Sequence, residues 1–305
     1  MKILVTGVNG QLGHDMMPEL IRRGHEAIGS GKAGAYRGSD AVARFPYVPL
    51  DITDRDAVLG TIGDLRPDAV IHCAAWTAVD AAEDAENRET VDRVNRLGTL
   101  HLAEAARAAD AKMLYLSTDY VFDGGGTRPW QPDDKCFAPL NVYGQSKLDG
   151  EKAVSSVLNK FFIVRIAWVF GQNGKNFIKT MINAGKTHDT VRVVNDQIGT
   201  PTYTADLARL LSDMIESGKY GYYHATNSES EEGGYISWYD FCREFYRQYG
   251  LKTRVIPVST EEYGLSRAAR PKNSRLDKQK LREAGFAPLP TWQDAVARYL
   301  KEAEL

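Results

Sequence analysis

The first thirteen residues constrain the fold of this chain more than any other stretch. An apolar run covers residues 2–6, and a segment with helical periodicity begins soon after it. Between them stand three regularly spaced glycines, Gly7, Gly10 and Gly13. A strand, a glycine turn and a helix in this order form a unit that binds the pyrophosphate of a dinucleotide at the helix N-terminus. Gly7 would permit the tight turn, Gly10 the approach of the pyrophosphate, and Gly13 the close packing of helix and strand.

The residues after the second predicted strand bear on which dinucleotide this turn would bind. The strand covers residues 25–29, and a carboxylate near its end would bind the ribose 2′-hydroxyl of NAD. No acidic residue occurs at positions 27–39, whereas Ser30, Lys32 and Arg37 are available for the 2′-phosphate of NADP. The pattern therefore favours NADPH, with NADH as the second choice. A solvated glycine-rich loop is the alternative, since the GxxGxxG spacing is one residue longer than the GxGxxG form.

Two further loops are suited to a flat cofactor. Asp51 precedes a predicted helix at a position from which an adenine edge is within reach, although a simple turn aspartate fits almost as well. The predicted strand at residues 68–72 leads into a loop of mostly small residues, 73–80. Small side chains would let this backbone approach a ribose and a nicotinamide, while Trp76 within the loop is equally a candidate core residue.

The centre of the chain carries the candidate reactive groups. An apolar run at residues 112–116 predicts a buried strand, and Thr118 and Asp119 follow where it ends. In a parallel α/β sheet, ligands bind outside the carboxyl ends of the strands. Tyr143 and Lys147 are four residues apart at the start of a predicted helix, so they lie on one face. A free phenol has a pKa of about 10, and a nearby ammonium favours its ionised form, so the pair predicts a proton donor.

Several short motifs, taken in order, resemble the extended short-chain dehydrogenase/reductase superfamily. They are Thr6-Gly7-x-x-Gly10-x-x-Gly13, Asn95-x-x-Gly98-Thr99, Ser117-Thr118-Asp119 and Tyr143-x-x-x-Lys147. Within the superfamily, the chain is most similar to the dTDP-4-dehydrorhamnose reductases, with matching segments at residues 75–80, 117–124, 139–144, 165–171, 195–202 and 270–274. Nucleotide-sugar dehydratases usually have an acid directly after the Thr-Asp pair, where this chain has Tyr120. The 4-epimerases usually have small residues in place of that pair.

The resemblance implies a role for each matching residue. Tyr143 would donate a proton to the C4 oxygen of the substrate, Lys147 would lower the pKa of that tyrosine and hold the nicotinamide ribose, and Thr118 would bond the reacting oxygen or the tyrosine. The cofactor contacts assigned from the motifs and the resemblance together are Gly7, Gly10, Gln11, Leu12, Gly13, Ser30, Lys32, Arg37, Asp51, Ile52, Ala74, Ala75, Trp76, Thr77, Asn95, Tyr143 and Lys147. The substrate contacts assigned in the same way are Thr118, Asp119, Val121, Trp168, Asn176 and Arg270.

Purely structural roles are the alternatives for several of these residues. Tyr143 would then be a surface residue of its helix, and Thr118 would cap a turn. Asp119 would be a helix N-cap or a turn residue, and Trp168, which follows an apolar run, would be a core tryptophan. Arg270 belongs to a basic loop that suits a substrate diphosphate, because arginine matches phosphate geometry; a solvated basic loop is its alternative.

The alternation of predicted strands and helices defines the fold class. Residues 1–170 predict an NAD(P)-binding α/β domain of the Rossmann type, with a doubly wound parallel sheet. The alternation becomes irregular afterwards, so residues 171–305 predict mainly a smaller, discontinuous α/β substrate-binding lobe. A helix at 203–217 and a strand at 221–225 are expected to return to the first domain. No linker separates the two parts, so we expect them to share a cleft.

Composition argues against several other classes of protein. The chain has 38 Lys plus Arg and 40 Asp plus Glu, and the net charge of −2 lacks the basic excess of a nucleic-acid binder. No apolar run approaches the roughly eighteen residues that span a bilayer, and the N-terminus lacks a signal-peptide pattern. Three distant cysteines predict reduced thiols in a cytoplasmic protein. The histidines lack metal-ligand spacing. Some members of the resembled family dimerise through acidic residues around a magnesium ion, but only Asp15 falls near one of those positions here, so we expect no essential metal.

The resemblance implies an NAD(P)H-dependent oxidoreductase that reduces the C4 ketone of dTDP-4-dehydro-β-L-rhamnose to dTDP-L-rhamnose, the last step of dTDP-rhamnose biosynthesis for cell-surface polysaccharide. The expected partner is this small dTDP-sugar, bound by a monomer or homodimer, with no nucleic acid and no membrane. A nucleotide-sugar epimerase or dehydratase is one alternative, and Tyr120 argues against it. A non-catalytic NADP-binding subunit, like the regulatory subunit of methionine adenosyltransferase, is the other; the intact Tyr143 and Lys147 count against that class.

Overall fold

The computed structural model describes residues 1–38, 45–229 and 234–303. Its strands are β1 (Lys2–Thr6), β2 (Glu26–Gly31), β3 (Tyr47–Pro49), β4 (Ala69–His72), β5 (Lys112–Thr118), β6 (Phe161–Ile166), β7 (Val169–Phe170), β8 (Thr190–Val194), β9 (Ile198–Gly199), β10 (Thr202–Tyr203), β11 (Gly221–His224), β12 (Ile236–Ser237) and β13 (Arg254–Val258). Its α-helices are α1 (Gln11–Arg22), α2 (Arg55–Leu65), α3 (Arg88–Asp92), α4 (Gly98–Ala108), α5 (Val142–Val157), α6 (Phe177–Thr187), α7 (Thr204–Glu216), α8 (Trp238–Tyr249), α9 (Thr260–Tyr263), α10 (Gln279–Glu283) and α11 (Trp292–Glu302). Short 3₁₀ turns cover Ala81–Glu83 and Asp119–Val121, and a π-helical turn covers Arg93–Leu97.

Seven parallel strands form the central sheet, in the order β11-β6-β5-β4-β1-β2-β3. Strand β1 lies between β2 and β4, with Leu4 opposite both Ile28 and Val70. From β1 the strand order proceeds outwards through β2 to β3 on one side. It proceeds from β4 through β5 to β6 on the other side, so the strand order reverses between β1 and β4. The predicted doubly wound, Rossmann-type fold is confirmed. Ligands of such sheets bind at this reversal, outside the carboxyl ends of the strands.

Residues from the second half of the chain complete the large domain. Strand β11 pairs in parallel with β6, with Tyr222 opposite Ile163. Helix α7 packs against α1, and its Leu207 and Leu211 share an apolar core with Leu20. The chain therefore crosses between the two lobes more than once, while the boundary at residue 170 stays a prediction.

The smaller lobe is built around aromatic side chains. Helices α6, α8 and α11 enclose a core that includes Phe241, Phe245 and Tyr299, all fully buried. The short strand pairs β8-β13, β9-β12 and β7-β10 accompany these helices. Helix α8 begins with a capping box, in which the Ser237 hydroxyl accepts from the Asp240 amide and the Asp240 carboxylate accepts from the Ser237 amide. This cap fixes where the helix starts, beside the cleft between the lobes.

A buried ion pair fastens helix α5 to the sheet. Arg165 on β6 and Glu151 on α5 are each 1% exposed. The guanidinium donates to both carboxylate oxygens, at 2.8 and 2.7 Å. Ser117, near the end of β5, donates to the same carboxylate at 2.5 Å. Because these bonds join three elements, they hold α5, with Tyr143 and Lys147, over the carboxyl ends of β5 and β6.

Replacing Arg165 by methionine is expected to destabilise the fold strongly, because Glu151 would stay buried without its partner. Removing one member of a buried pair typically lowers the free energy of unfolding by about 3–5 kcal/mol. Urea unfolding followed by circular dichroism measures the change. Lys160→Met is the control, since Lys160 forms an exposed ion pair with Asp110 just before the same strand, and such pairs contribute little. Equal unfolding midpoints for the two variants would contradict the anchoring role of Arg165.

Candidate active site

A cavity of about 710 Å³ opens at the carboxyl ends of the central strands, where the two lobes meet. Its walls contain residues from the glycine turn, the loops after β2 and β4, the end of β5, the start of α5 and the smaller lobe. Among the predicted contacts, it is lined by Gly7, Gly10, Gln11, Leu12, Lys32, Arg37, Asp51, Ile52, Ala74, Ala75, Thr77, Thr118, Asp119, Tyr143, Lys147 and Trp168. The fold thus brings the predicted cofactor turn and the predicted reactive groups into one site.

Backbone contacts that exclude side chains shape the glycine turn. Gly7 has a φ of +72°, and a Cβ atom there would lie 2.6 Å from the amide nitrogen of Ala74. A Cβ atom on Gly13 would lie 2.3 Å from the carbonyl oxygen of Gly7. The first turn of α1 therefore packs directly on the end of β1. Helix α1 starts at Gln11 after a Gly10 N-cap that makes no side-chain cap bond, and free amide groups of this kind bind phosphates.

The other end of the cavity contains the cations predicted for a 2′-phosphate. Lys32 and Arg37 both line it, and the Lys32 ammonium forms an ion pair with Asp51 at 2.9 Å. Burial opposes ionisation of this carboxyl, but bonds from Lys32 and Thr53 outweigh it and hold the pKa of Asp51 below its ordinary value. Ser30 is fully buried within β2 and does not line the cavity. Of the three predicted phosphate contacts, Lys32 and Arg37 therefore line the cavity, and contact by Ser30 stays a prediction.

Tyr143 lies at the opposite end of the cavity together with Thr118 and Asp119. The Thr118 hydroxyl donates to Oδ1 of Asp119 at 2.9 Å. Burial and then the negative charge of Asp119 raise the pKa of Tyr143 above its ordinary value, while the Thr118 hydroxyl acts in the opposite direction. Burial also raises the pKa of Asp119 to about 6. The phenol of Tyr143 is therefore protonated at neutral pH, as a proton donor must be.

The surroundings of Lys147 correct one prediction. Its ammonium lies over the ring of Tyr115, 4.0 Å from the ring centroid, and the residue is 3% exposed. Burial lowers the pKa of Lys147 to about 7, although the carboxylate of Glu151 favours the charged form. The lowered pKa that was predicted for Tyr143 is not found: burial of the phenol and then the charge of Asp119 raise it above its ordinary value.

Three predicted substrate contacts lie outside the cavity lining. The guanidinium of Arg270 donates to both carboxylate oxygens of Asp80, at 3.0 and 2.8 Å, so its charge is already neutralised within the protein. Asn176 is the N-cap of α6 and accepts from the Lys179 amide at 3.0 Å. Val121 is fully buried in an apolar cluster. All three residues have partners within the protein, and their contacts with the substrate stay predictions.

Trp76 and Asn95 support the cavity from behind its lining. The Trp76 amide donates to Oδ1 of Asn95 at 2.8 Å, and Nδ2 of Asn95 donates to the Trp76 carbonyl at 3.1 Å. These two hydrogen bonds hold the loop at residues 73–80, from which Ala74, Ala75 and Thr77 line the cavity. The role of Asn95 in a cofactor site is therefore indirect.

Sequence reasoning missed two aromatic residues that line the cavity. The ring of Trp238 is stacked on Trp168 with centroids 4.0 Å apart, and Trp168 has a φ of +49°, a backbone conformation that few residues other than glycine adopt. Tyr120 places its ring edge-on to Tyr143, with centroids 5.7 Å apart. Trp238 is the first residue of α8, directly after the Ser237 N-cap, and so lies at the cavity, whereas Phe241 and Phe245 further along the helix are buried in the aromatic core.

Within residues 1–38, 45–229 and 234–303, no three His, Cys, Asp or Glu side chains come together in an arrangement that could hold a metal ion. In the same part of the chain, no helix is long and apolar enough to cross a membrane. The three cysteines are free thiols.

The absence of an essential metal and the absence of a nucleic-acid partner remain predictions.

Comparison with known proteins identifies the family. The family model described as the RmlD substrate binding domain matches residues 1–305. The chain belongs to the RmlD family. A dTDP-4-dehydrorhamnose reductase of Streptomyces griseus is 41% identical over 301 residues, covering 96% of this chain and 91% of that protein.

Two solved structures resemble this RmlD family member over both lobes. The crystal structure of a dTDP-4-dehydrorhamnose reductase from Clostridium acetobutylicum has a TM-score of 0.88 at 39% identity and covers 99% of each chain. The crystal structure of dTDP-4-dehydrorhamnose reductase from Bacillus anthracis in complex with NADP has a TM-score of 0.86 at 36% identity, again with 99% of each chain covered. The family inferred from the motifs is confirmed, and the smaller lobe belongs to it as much as the glycine turn does.

Replacing Gly13 by alanine is expected to disrupt the glycine turn, since the new methyl group would overlap the Gly7 carbonyl. Overpacking of this kind lowers the free energy of unfolding by about 1–3 kcal/mol, and the displaced helix should weaken NADPH binding by roughly tenfold or more. Fluorescence titration with NADPH measures the affinity.

Gly60→Ala is the matched control, because Gly60 lies in α2 with open space at its Cβ position. Alanine there should raise the free energy of unfolding by up to about 1 kcal/mol and leave NADPH affinity unchanged. Wild-type affinity in Gly13→Ala would show that the turn does not hold the dinucleotide.

Proposed function

We propose that this RmlD family member reduces the C4 ketone of dTDP-4-dehydro-β-L-rhamnose with NADPH and releases dTDP-L-rhamnose. The observation that carries the proposal is the position of the protonated Tyr143 phenol, which lines the same cavity as the glycine turn. The relatives named as dTDP-4-dehydrorhamnose reductases, one of them in complex with NADP, support the choice of substrate and cofactor.

The residues of the cavity fit an extended dinucleotide. The amide groups around Gly10 and Gln11 would hold its pyrophosphate, and Lys32 and Arg37 would hold a 2′-phosphate. The loop at residues 73–80 would lie along the ribose and nicotinamide, next to Tyr143. When bound, the reduced nicotinamide supplies a hydride to the carbonyl carbon.

The chain's own residues supply the proton and the orientation of the ketone. Tyr143 donates its phenolic proton to the C4 oxygen as negative charge develops there. General acid catalysis of this kind typically contributes about 10²–10⁴-fold. The Thr118 hydroxyl donates its one proton to Asp119, and it would donate to the C4 oxygen by rotating away from that carboxylate. Lys147, buried beside Tyr115, contributes a donor at the ribose side of the cavity.

The two rival classes are less well supported. In place of the acid that dehydratases usually have, this chain has Tyr120, a phenol whose pKa is raised, first by burial and then by Asp119. It therefore stays protonated near neutral pH and cannot act as the base that a carboxylate would be. A non-catalytic binding subunit would have no need for Tyr143, Thr118 and Lys147 to line one cavity. Retention of oxidised cofactor through purification would favour an epimerase or dehydratase.

Tyr143→Phe is expected to reduce kcat by about 10²–10⁴-fold, because it removes the proton donor. NADPH affinity should change little, since the ring remains. Oxidation of NADPH in the presence of dTDP-4-dehydro-L-rhamnose, followed at 340 nm, measures the rate. Tyr223→Phe is the control: it removes a phenol that bonds the Lys219 carbonyl, outside the cavity lining. Near-normal turnover in Tyr143→Phe would refute the assignment of the acid.

The double variant Lys32→Ala with Arg37→Ala tests the choice of cofactor. Hydrogen bonds to charged groups contribute about 1.5–3 kcal/mol each, so KM for NADPH should rise by roughly tenfold or more. KM for NADH should stay within about twofold, because NADH lacks the 2′-phosphate. Arg55→Ala, which removes an exposed arginine paired with Glu104 on the surface of α2, controls for the loss of positive charge. An equal rise in KM for NADPH and NADH would show that Lys32 and Arg37 do not bind the 2′-phosphate.

A further inference from the structure

A continuous set of buried hydrogen bonds runs along the cavity, from the end of β1 to the start of α5, and two of its members, Thr6 and His72, line the cavity. Its members are all between 0 and 6% exposed. They are Thr6, His72, Thr99, Asn95 and Ser146, and we call this set the hydroxyl–imidazole chain. The residues come from β1, β4, α4, the π-helical turn and α5, so the set ties these five elements together.

The donors can be assigned one after another from the α5 end. The Ser146 hydroxyl donates to the Tyr143 carbonyl at 2.7 Å, so its oxygen accepts from Nδ2 of Asn95 at 2.9 Å. The Thr99 hydroxyl donates to the main-chain carbonyl of Asn95 at 2.7 Å. Its oxygen is then left to accept from Nε2 of His72, 3.0 Å away. His72 therefore carries its proton on Nε2.

The same logic completes the β1 end. Nδ1 of His72 is left as an acceptor, and the Thr6 hydroxyl donates to it at 2.8 Å. The oxygen of Thr6 accepts from the Ala74 amide at 3.3 Å. Burial, and then the charge of Lys147, lower the pKa of His72 to about 3, so the imidazole stays neutral and this single arrangement of protons persists at ordinary pH.

Both ends of the hydroxyl–imidazole chain belong to the proposed site. Thr6 directly precedes Gly7 in the glycine turn, and Ala74 lines the cavity. At the other end, Ser146 bonds the backbone of Tyr143 itself. The groups that would place the hydride donor and the group that donates the proton are thus connected through His72, Thr99, Asn95 and Ser146. His72 lines the cavity, whereas Thr99 does not, and neither has a role in the proposed proton or hydride transfer.

We infer that His72 and Thr99 are positioning residues that set the distance between the bound dinucleotide and the Tyr143 phenol. Hydride and proton must reach neighbouring atoms of one ketone, and they come from elements that are far apart in the chain. A misplacement of about 1 Å can lower a rate by about 10²-fold. The inference rests on the proposed function. It adds how the hydride donor and the phenolic proton of Tyr143 are held at a fixed distance from each other.

Thr99→Val tests this role, because valine has nearly the same shape as threonine and replaces the hydroxyl by a methyl group that cannot form hydrogen bonds. We expect kcat to fall by roughly tenfold, while KM for the sugar nucleotide and Kd for NADPH stay within about threefold. Thr99→Ser restores the hydroxyl and should restore most of kcat. Ser212→Ala is the matched control, since Ser212 is a fully buried hydroxyl on α7 that bonds only the Ala208 carbonyl of its own helix.

A structural readout accompanies the kinetics. Hydrogen exchange at residues 7–13 and 142–147 should rise in Thr99→Val at both ends of the hydroxyl–imidazole chain, and neither segment should change in Ser212→Ala. If Thr99→Val does not fold, His72→Asn and His72→Gln take its place. Asparagine keeps an acceptor near the position of Nδ1, and glutamine keeps a donor near that of Nε2, so each breaks one link and should lower kcat.

The outcomes separate the two hypotheses. A wild-type protein that binds NADPH and reduces no ketone would overturn the proposed function, and the exchange measurement would still test the hydroxyl–imidazole chain. An active wild type whose folded Thr99→Val or His72 variants keep full kcat would overturn the positioning role alone. Failure of Thr99→Ser to restore kcat, or a loss confined to NADPH affinity, would overturn it as well.

Discussion

Close backbone packing at the glycine turn is the constraint on which the rest of this structure depends. Gly13 lets α1 rest on the carbonyl of Gly7, and Gly7 in turn approaches the backbone of Ala74 with no room for a side chain. These contacts join β1, α1 and the loop after β4 at the point where the strand order reverses. The floor of the cavity is therefore made of backbone, which leaves amide groups for an anionic ligand and places the reactive side chains on the surrounding walls.

Burial, more than neighbouring charge, governs the reactive groups on those walls. It raises the pKa of Tyr143 and of Asp119 and lowers the pKa of Lys147, so all three are moved towards their neutral forms. A neutral phenol is what a reductase needs, since the proton must be present when the hydride arrives. The ion pair of Arg165 with Glu151 and the hydroxyl–imidazole chain then supply what burial cannot, which is a fixed position for α5.

The meeting of the two lobes accounts for the rest of the site. Trp168 follows β6, and Trp238 begins α8 of the smaller lobe; their stacked rings form one wall of the cavity. Nearby, Arg270 reaches across to Asp80, whose pKa is lowered to about 2, mainly by that arginine. The basic loop around Arg270 thus joins the lobes, and its charge is largely satisfied before any diphosphate arrives.

The sequence by itself determined the parallel sheet, the glycine turn and the Tyr143–Lys147 pair, because each depends on spacing within one strand, one turn or one helix. The tertiary structure decided what surrounds them. Asp80 and Arg270 are 190 residues apart, and no local pattern shows that they neutralise each other or that Trp238, packed against the aromatic core, also lines the cavity. The pKa of Tyr143 likewise follows from burial among groups brought together by folding, which is why the spacing to Lys147 alone predicted the wrong direction.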